Sequence, residues 1–111
     1  MPSLPSFIIG ESSVFLDSLR AMKLPESDRT AFLEEHIGWQ LENEMIRRTF
    51  VFTDFTESVA FVVGVGFVAE AADHHPDIDI RWNKVTLVLT THSEGALTEK
   101  DLQLAAAIEG L

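Results

Sequence analysis

The chain has 111 residues, no cysteine and a formal charge of −10 at pH 7, with 46% of its residues apolar. One domain is expected at that length, and without cysteine there can be no disulfide framework, thiolate metal site or thiol nucleophile. The negative field repels phosphate backbones and anionic lipid surfaces, which argues against nucleic-acid and membrane partners, while so much apolar sequence around a small core points to surface buried between subunits.

The opening "MPSLPSFIIG" has no basic n-region and only Phe7-Ile8-Ile9 as an apolar run, so no signal peptide is expected and the protein reads as soluble and cytoplasmic. In "SSVFLDSLRAM", Val14, Phe15, Leu19 and Met22 fall on one face of a short candidate helix. A second helix is expected from Glu26 to His36, with Pro25 near its first turn, where a missing N–H costs least; it stops at Gly38, just before an apolar Trp39 assigned to the core. "RRTFVFT", Arg47 to Thr53, alternates as a strand with Phe50 and Phe52 on one face. Asp54 and Glu57 have capping-box spacing, and together with the length of the following apolar stretch they predict a helix over Phe55–Ala72 despite its valines. The longest apolar stretch, Val59 to Ala69, is interrupted by Gly64 and Gly66 and falls far short of a membrane span.

His74-His75-Pro76 ends that helix, because proline pushes the preceding residue toward extended backbone. Ile78, Ile80 and Trp82 then alternate as a strand, Asn83-Lys84 makes a tight connection, and Val85, Leu87 and Leu89 alternate as the returning strand. Thr98-Glu99-Lys100-Asp101 caps a last helix, with Leu97 and Leu102 at hydrophobic-staple positions. With a further candidate strand near Trp39 to Glu44, this is an α+β order: an antiparallel sheet with helices packed on one face.

"GVGFVA", Gly64 to Ala69, matches the loose dinucleotide pattern, but no crossover helix with its connections fits between Gly66 and Pro76. Gly64, Gly66 and Ala60 are better read as a smooth helix face for close approach to the sheet or to a partner. The histidines admit three readings. Zinc accepts three imidazoles, yet adjacent residues on extended backbone point to opposite sides, which separates His74 from His75. The bland alternative is a helix-end pair and a strand-end residue satisfied by hydrogen bonds. The third is general acid–base chemistry, for which imidazole suits because it titrates nearest neutral pH. Geometry favours the third: His75 and His92 bracket a hairpin whose ends meet, so the histidines should reach a shared cleft. Glu70 lies one helical turn before His74. Asp101 is a capping-box acceptor that can also orient His92. His36 reads as a solvated helix-end residue and Glu34-Glu35 as a solvated face.

With those residues placed, the chain resembles the pterin-4a-carbinolamine dehydratase family. The family pattern is an acidic residue, three residues, His-His-Pro, five residues, an aromatic, nine residues, His, and an Asp further on. Glu70, His74-His75-Pro76, Trp82, His92 and Asp101 stand at those spacings, and "FVFTDF", "WNKVTLVLTTH" and "LTEKDLQLAAAIE" are similar to family sequence. The likeness covers 24–111, with 1–23 read as an N-terminal extension, part helical. It implies a four-stranded antiparallel sheet with helices on one side, a homodimer or homotetramer, and no metal or organic cofactor. The implied reaction removes water from a 4a-hydroxytetrahydropterin left by an aromatic amino acid hydroxylase, giving a quinonoid dihydropterin. By the same resemblance His74 and His92 are acid–base residues on opposite faces of the pterin, and His75 holds and polarises it. Glu70, Pro76 and Trp82 line or bind the ring, and Asp101 orients His92. Two departures stand out: Trp82 where many members carry Tyr, and Ala96 where a glycine is usual. Some relatives of this fold serve as binding or assembly factors, such as a rubisco assembly factor, or act on another pterin. The full acid–base set favours the enzyme.

Overall fold

A computed structural model describes residues 19–111 of the chain. Helix α1 (Glu26–Glu35) leads into β1 (Gln40–Glu42) and β2 (Met45–Val51), then α2 (Phe55–Ala72), β3 (Asp77–Arg81), β4 (Lys84–Leu89), a 3-10 turn (His92–Glu94) and α3 (Glu99–Glu109). The strands form one antiparallel sheet in the order β1-β2-β4-β3. This is the α+β arrangement expected from the sequence. Of the first candidate helix, Val14 and Phe15 lie outside the described residues, while Leu19 and Arg20 are helical and Leu19 and Met22 are exposed.

Period-two alternation fixes the sheet's two faces. Val85, Leu87 and Leu89 are fully buried on one side of β4, and Ile46 and Phe50 meet Leu89 and Val85 across β2 on the same side. Val65 and Ala69 of α2 and Leu104, Ala105 and Ile108 of α3 complete that core, joined by Trp39 and Phe32. The opposite face carries Thr49 and Thr86, which pair across the strands through their hydroxyls at 2.8 Å. Each fully buried aliphatic side chain contributes about 1.5–3 kcal/mol by leaving water, so the sheet is held by its helix side.

Helix α2 starts and stops by separate devices. The Asp54 carboxylate accepts from the Glu57 N–H at 2.9 Å, and Glu57 reaches back to the Thr53 N–H at 2.7 Å. At the other end Asp73 adopts left-handed backbone (φ 50°), so the helix is closed one residue before the His-His-Pro run. By length and composition α2 is the one described helix that could cross a membrane. Here it packs on the sheet through Ser58, Val65 and Ala69 and leaves Phe55, Val59, Val63 and Phe67 as an exposed stripe. Gly64 lies against Leu111, and a side chain at Gly66 would meet nothing. Neither glycine therefore serves an approach to the sheet.

Three details depart from expectation. Strand β2 begins at Met45 rather than Arg47 and ends at Val51. The β3–β4 turn is Trp82-Asn83, not Asn83-Lys84, because Asn83 is fastened to Phe52 twice: its side-chain amide donates to the Phe52 carbonyl at 3.0 Å and its carbonyl accepts from the Phe52 N–H at 2.7 Å. Trp82 then takes the left-handed corner (φ 52°), a costly place for a bulky residue. His36, expected to be solvated, stacks on Phe32 with ring centroids 4.2 Å apart and meets Glu109 of α3 at 2.9 Å.

A buried cation that the periodicity did not reveal ties the ends of the fold together. Arg29 on α1 donates twice to the Glu44 carboxylate (2.8 and 3.1 Å) and once to the Leu24 carbonyl (3.0 Å), while the Leu97 N–H donates to the same carboxylate at 3.2 Å. The Arg29 bonds, followed by the Leu97 N–H, hold the Glu44 carboxyl down at about 2, from an ordinary 4.5. A depressed carboxyl pKa stabilises the fold fully above the unfolded value, and that contribution is lost as pH falls through the folded one. Wild-type stability should therefore drop more steeply than that of Glu44→Gln between pH 4.5 and about 2, measured by urea titration. Parallel profiles would refute it.

Candidate active site

Helix α2 delivers its C-terminal turn, with Glu70, to the same end of the molecule where β4 exits and α3 begins. The left-handed Asp73 turns the chain there, and the two histidines that follow diverge. His74 points inward: its side chain is 12% exposed, and Nε2 lies 2.5 Å from Oδ1 of Asp101, which is wholly buried. His75 points outward and meets the exposed Glu70 at 2.7 Å through Nε2. Adjacent rings that part in this way do not form a chelating pair, and among the described residues no group of three His, Cys, Asp or Glu side chains is placed to hold a metal ion.

Asp101 is the hinge of the arrangement. Its second oxygen, Oδ2, accepts from the Thr98 N–H at 2.9 Å, the capping-box bond, and from the Thr91 hydroxyl at 2.8 Å. Thr91 is also bonded to the Thr98 hydroxyl at 2.6 Å, and Thr91 and Thr98 are both buried. One carboxylate thus starts α3, fixes the end of β4 and holds the His74 ring. An ionised carboxylate only accepts, so in that pairing His74 Nε2 is the donor and Nδ1 is the ring nitrogen Asp101 does not engage.

The sequence reading gave Asp101 to His92, and the structure corrects this. Both carboxylate oxygens are engaged by His74, Thr91 and Thr98, and the His92 ring makes no hydrogen bond among the described residues. His92 begins the exposed 3-10 turn that follows Thr91, so Asp101 steadies the backbone just before it rather than its ring. Of the three imidazoles, one lines the groove at this end of the molecule. A groove of about 360 Å³ opens beside His74 between the end of α2 and α3, and His75 and His92 lie outside its wall. Trp82 sits at the far tip of the β3–β4 hairpin, 66% exposed and five strand residues from Pro76, so a single chain does not bring it to the histidines. At about 3.3 Å per strand residue that is roughly 16 Å. The Ala96 departure is harmless: the left-handed position in that loop is Gly95 (φ 60°), and Ala96 is buried in a bridge with Thr91.

Two groove residues were missed from sequence, Lys100 and Arg20. Lys100 follows the cap of α3 and had no periodic signal of its own. Arg20 precedes every element that could be placed with assurance, and nothing local tied it to His74.

Comparisons with known proteins identify the family and the fold. The family model described as pterin 4 alpha carbinolamine dehydratase matches residues 22–111. A protein of Chloroflexus aurantiacus named "Putative pterin-4-alpha-carbinolamine dehydratase" is 54% identical over 87 residues, covering 78% of this chain and 94% of the relative. One of the same name from Sulfolobus acidocaldarius is 47% identical over 87 residues, covering 78% and 96%. A crystal structure described as a transcriptional coactivator/pterin dehydratase from Brucella melitensis superposes with a TM-score of 0.76 at 35% identity, covering 80% of this chain and 97% of that one. A solved pterin dehydratase-like protein, identified as a rubisco assembly factor in the alpha-carboxysome, shares the fold alone, at TM-score 0.53 and 22% identity, over 65% of this chain and 83% of that one.

Proposed function

The chain belongs to the pterin-4a-carbinolamine dehydratase family, and from that premise we propose that it removes water from a 4a-hydroxytetrahydropterin to give a quinonoid dihydropterin. The observation that carries the reading is the buried Asp101 carboxylate joined to His74 at the wall of the groove. A scaffold gains nothing from aiming a carboxylate-held imidazole at an open groove.

The reaction asks for two proton movements. The carbon–oxygen bond at C4a breaks, and hydroxide leaves only if an imidazolium donates a proton to make it water. The neighbouring ring nitrogen gives its proton to a base, and its electron pair forms the new carbon–nitrogen double bond. His74, with Nε2 held by Asp101, serves one of these transfers through Nδ1, because the carboxylate fixes the position and direction of the ring. His92, at the start of the 3-10 turn that follows β4 and anchored through Thr91, serves the other. His75, oriented by Glu70, hydrogen-bonds the pterin edge, and Pro76 fixes the direction in which both rings leave the chain. Such a product suits recycling of the pterin used by an aromatic amino acid hydroxylase. Purified protein should accelerate the loss of 4a-hydroxypterin absorbance generated by a hydroxylase, and decay no faster than in buffer would end the reading.

We also propose that the working form is a homo-oligomer assembled on α2. Phe55, Val59, Val63 and Phe67 recur every fourth residue on its exposed side, with no charged residue between Glu57 and Glu70. In a chain of net charge −10 a second copy of the same uncharged stripe is the matching surface. Phe67 is 74% exposed. Burying it on both copies is worth about 1.5–3 kcal/mol each, so Phe67→Asp should weaken association at least about a hundredfold, read by light scattering against concentration. A wild-type protein that is monomeric at all concentrations would remove the proposal.

A further inference from the structure

The β3–β4 turn holds out an indole for which a single chain has no use. Trp82 is exposed on left-handed backbone, a corner kept because Asn83 is bonded to Phe52 through both its side chain and its carbonyl. That tether sets the indole beside the start of α2, at the opposite end of the helix from Glu70 and His75. Val51 and Phe55, both exposed, stand at the same end. Among the described residues no aromatic side chain lines the groove beside His74, whereas a flat heterocycle gains from a stacked ring.

The exposed stripe of α2 joins these two ends. Gly64 lies against Leu111 and Arg48 of β2 meets Glu109, so α3 occupies the flank of α2 that lies toward β2. Phe55, Val59 and Val63 turn toward the other flank, on the side of β3, the open edge of the sheet. Phe55, Val59, Val63 and Phe67 read the same in either direction, bulky at the ends and small in the middle. A two-fold axis across the middle of α2 therefore sets Phe55 against the partner's Phe67 and Val59 against the partner's Val63, with the helix dipoles opposed. Phe52 lies as far before the centre of that stripe as Glu70 lies beyond it. The Phe52–Asn83 tether thus carries Trp82 to the Glu70–His75 end of the other copy. We infer that the site is completed in trans: the Trp82 indole of each protomer covers the Glu70–His75 pair of the partner and stacks on the bicyclic ring held against His74. The inference rests on the dehydratase reading and on pairing through α2. Glu70 and His75 are 81% and 55% exposed in one chain; an indole laid over them excludes water and strengthens their hold on the ring edge.

Trp82→Gly is the informative variant, because glycine suits the left-handed corner and only the indole is lost. The full-length variant should stay as associated as wild type by light scattering. Its kcat/KM for 4a-hydroxypterin should fall about tenfold, through KM, and Trp82→Phe should recover most of that loss. Co-expression of Trp82→Gly with His74→Ala, under different tags, then reads which chain supplies the indole. A mixed pair holds one site with its own His74 and the partner's Trp82, and one site with neither. Mixed pairs isolated through both tags should therefore reach about half the wild-type kcat/KM, well above either parent. Mixed pairs no more active than the parents overturn the inference, as does Trp82→Gly with wild-type kcat/KM. A Trp82→Gly protein that dissociates also overturns it, by making the indole an interface residue only. Wild-type turnover without this rescue defeats the inference alone, whereas a wild type without turnover defeats the dehydratase reading with it.

Discussion

His74→Ala should lower kcat/KM for 4a-hydroxypterin dehydration by roughly 10²–10⁴-fold, the span of general acid–base catalysis by one positioned side chain. The ring is 12% exposed and its Nε2 is committed to Asp101, so the substitution removes a pre-oriented proton carrier and not a surface imidazole. It also strips the buried carboxylate of one charge-assisted bond, worth about 1.5–3 kcal/mol. Stability must therefore be measured beside activity. The decisive comparison is with His75→Ala, whose ring is 55% exposed and paired only to a solvated Glu70. That variant should keep its stability and lose substrate affinity more than turnover. If His74→Ala turned over within about threefold of wild type, His74 would be a structural partner of Asp101, and the acid–base assignment would pass to His92 with nothing beside it.

Much of this molecule was legible because its signals are local. Asp54 with Glu57 bounded α2 at its start, Thr98 with Asp101 bounded α3, and Val85, Leu87 and Leu89 announced a strand buried on one side. The opposite directions of His74 and His75 also followed from neighbouring positions on an extended chain. What sequence could not supply was pairing across the fold. Arg29 carries no signal of its own until Glu44 arrives from the β1–β2 turn, and His36 reads as a helix end until Glu109 packs beside it. The same blindness gave Asp101 to the wrong histidine. A span of nine residues from His92 looked shorter than twenty-seven from His74, yet α2 returns to the start of α3 and closes the longer distance. Trp82 was placed in a strand by alternation alone. The double tether of Asn83 to Phe52, a contact thirty-one residues apart, moved it into the turn.

Asp101→Asn should separate the structural use of this carboxylate from its chemical use. Asp101→Ala is the cruder change: it leaves the buried Thr98 N–H without its acceptor and the Thr91 hydroxyl with only its Thr98 partner, and should cost roughly 3–5 kcal/mol, with a fall in melting temperature of more than about 10 °C. The amide is different because the Thr98 N–H can only donate. It therefore holds the asparagine oxygen on the side where Oδ2 now lies, 2.9 Å away, and the asparagine NH₂ must face His74. His74 Nε2 then becomes an acceptor, its proton moves to Nδ1, and the nitrogen that should face the substrate presents the wrong state. Helix α3 keeps its cap, so the cost in stability should be less than half that of Asp101→Ala. Turnover, by contrast, should fall by about 10²-fold or more, as expected when a general acid–base group is held in the wrong tautomer. An Asp101→Asn protein with wild-type turnover would mean that the carboxylate acts only as a helix cap, and that the proximity of His74 to it is packing.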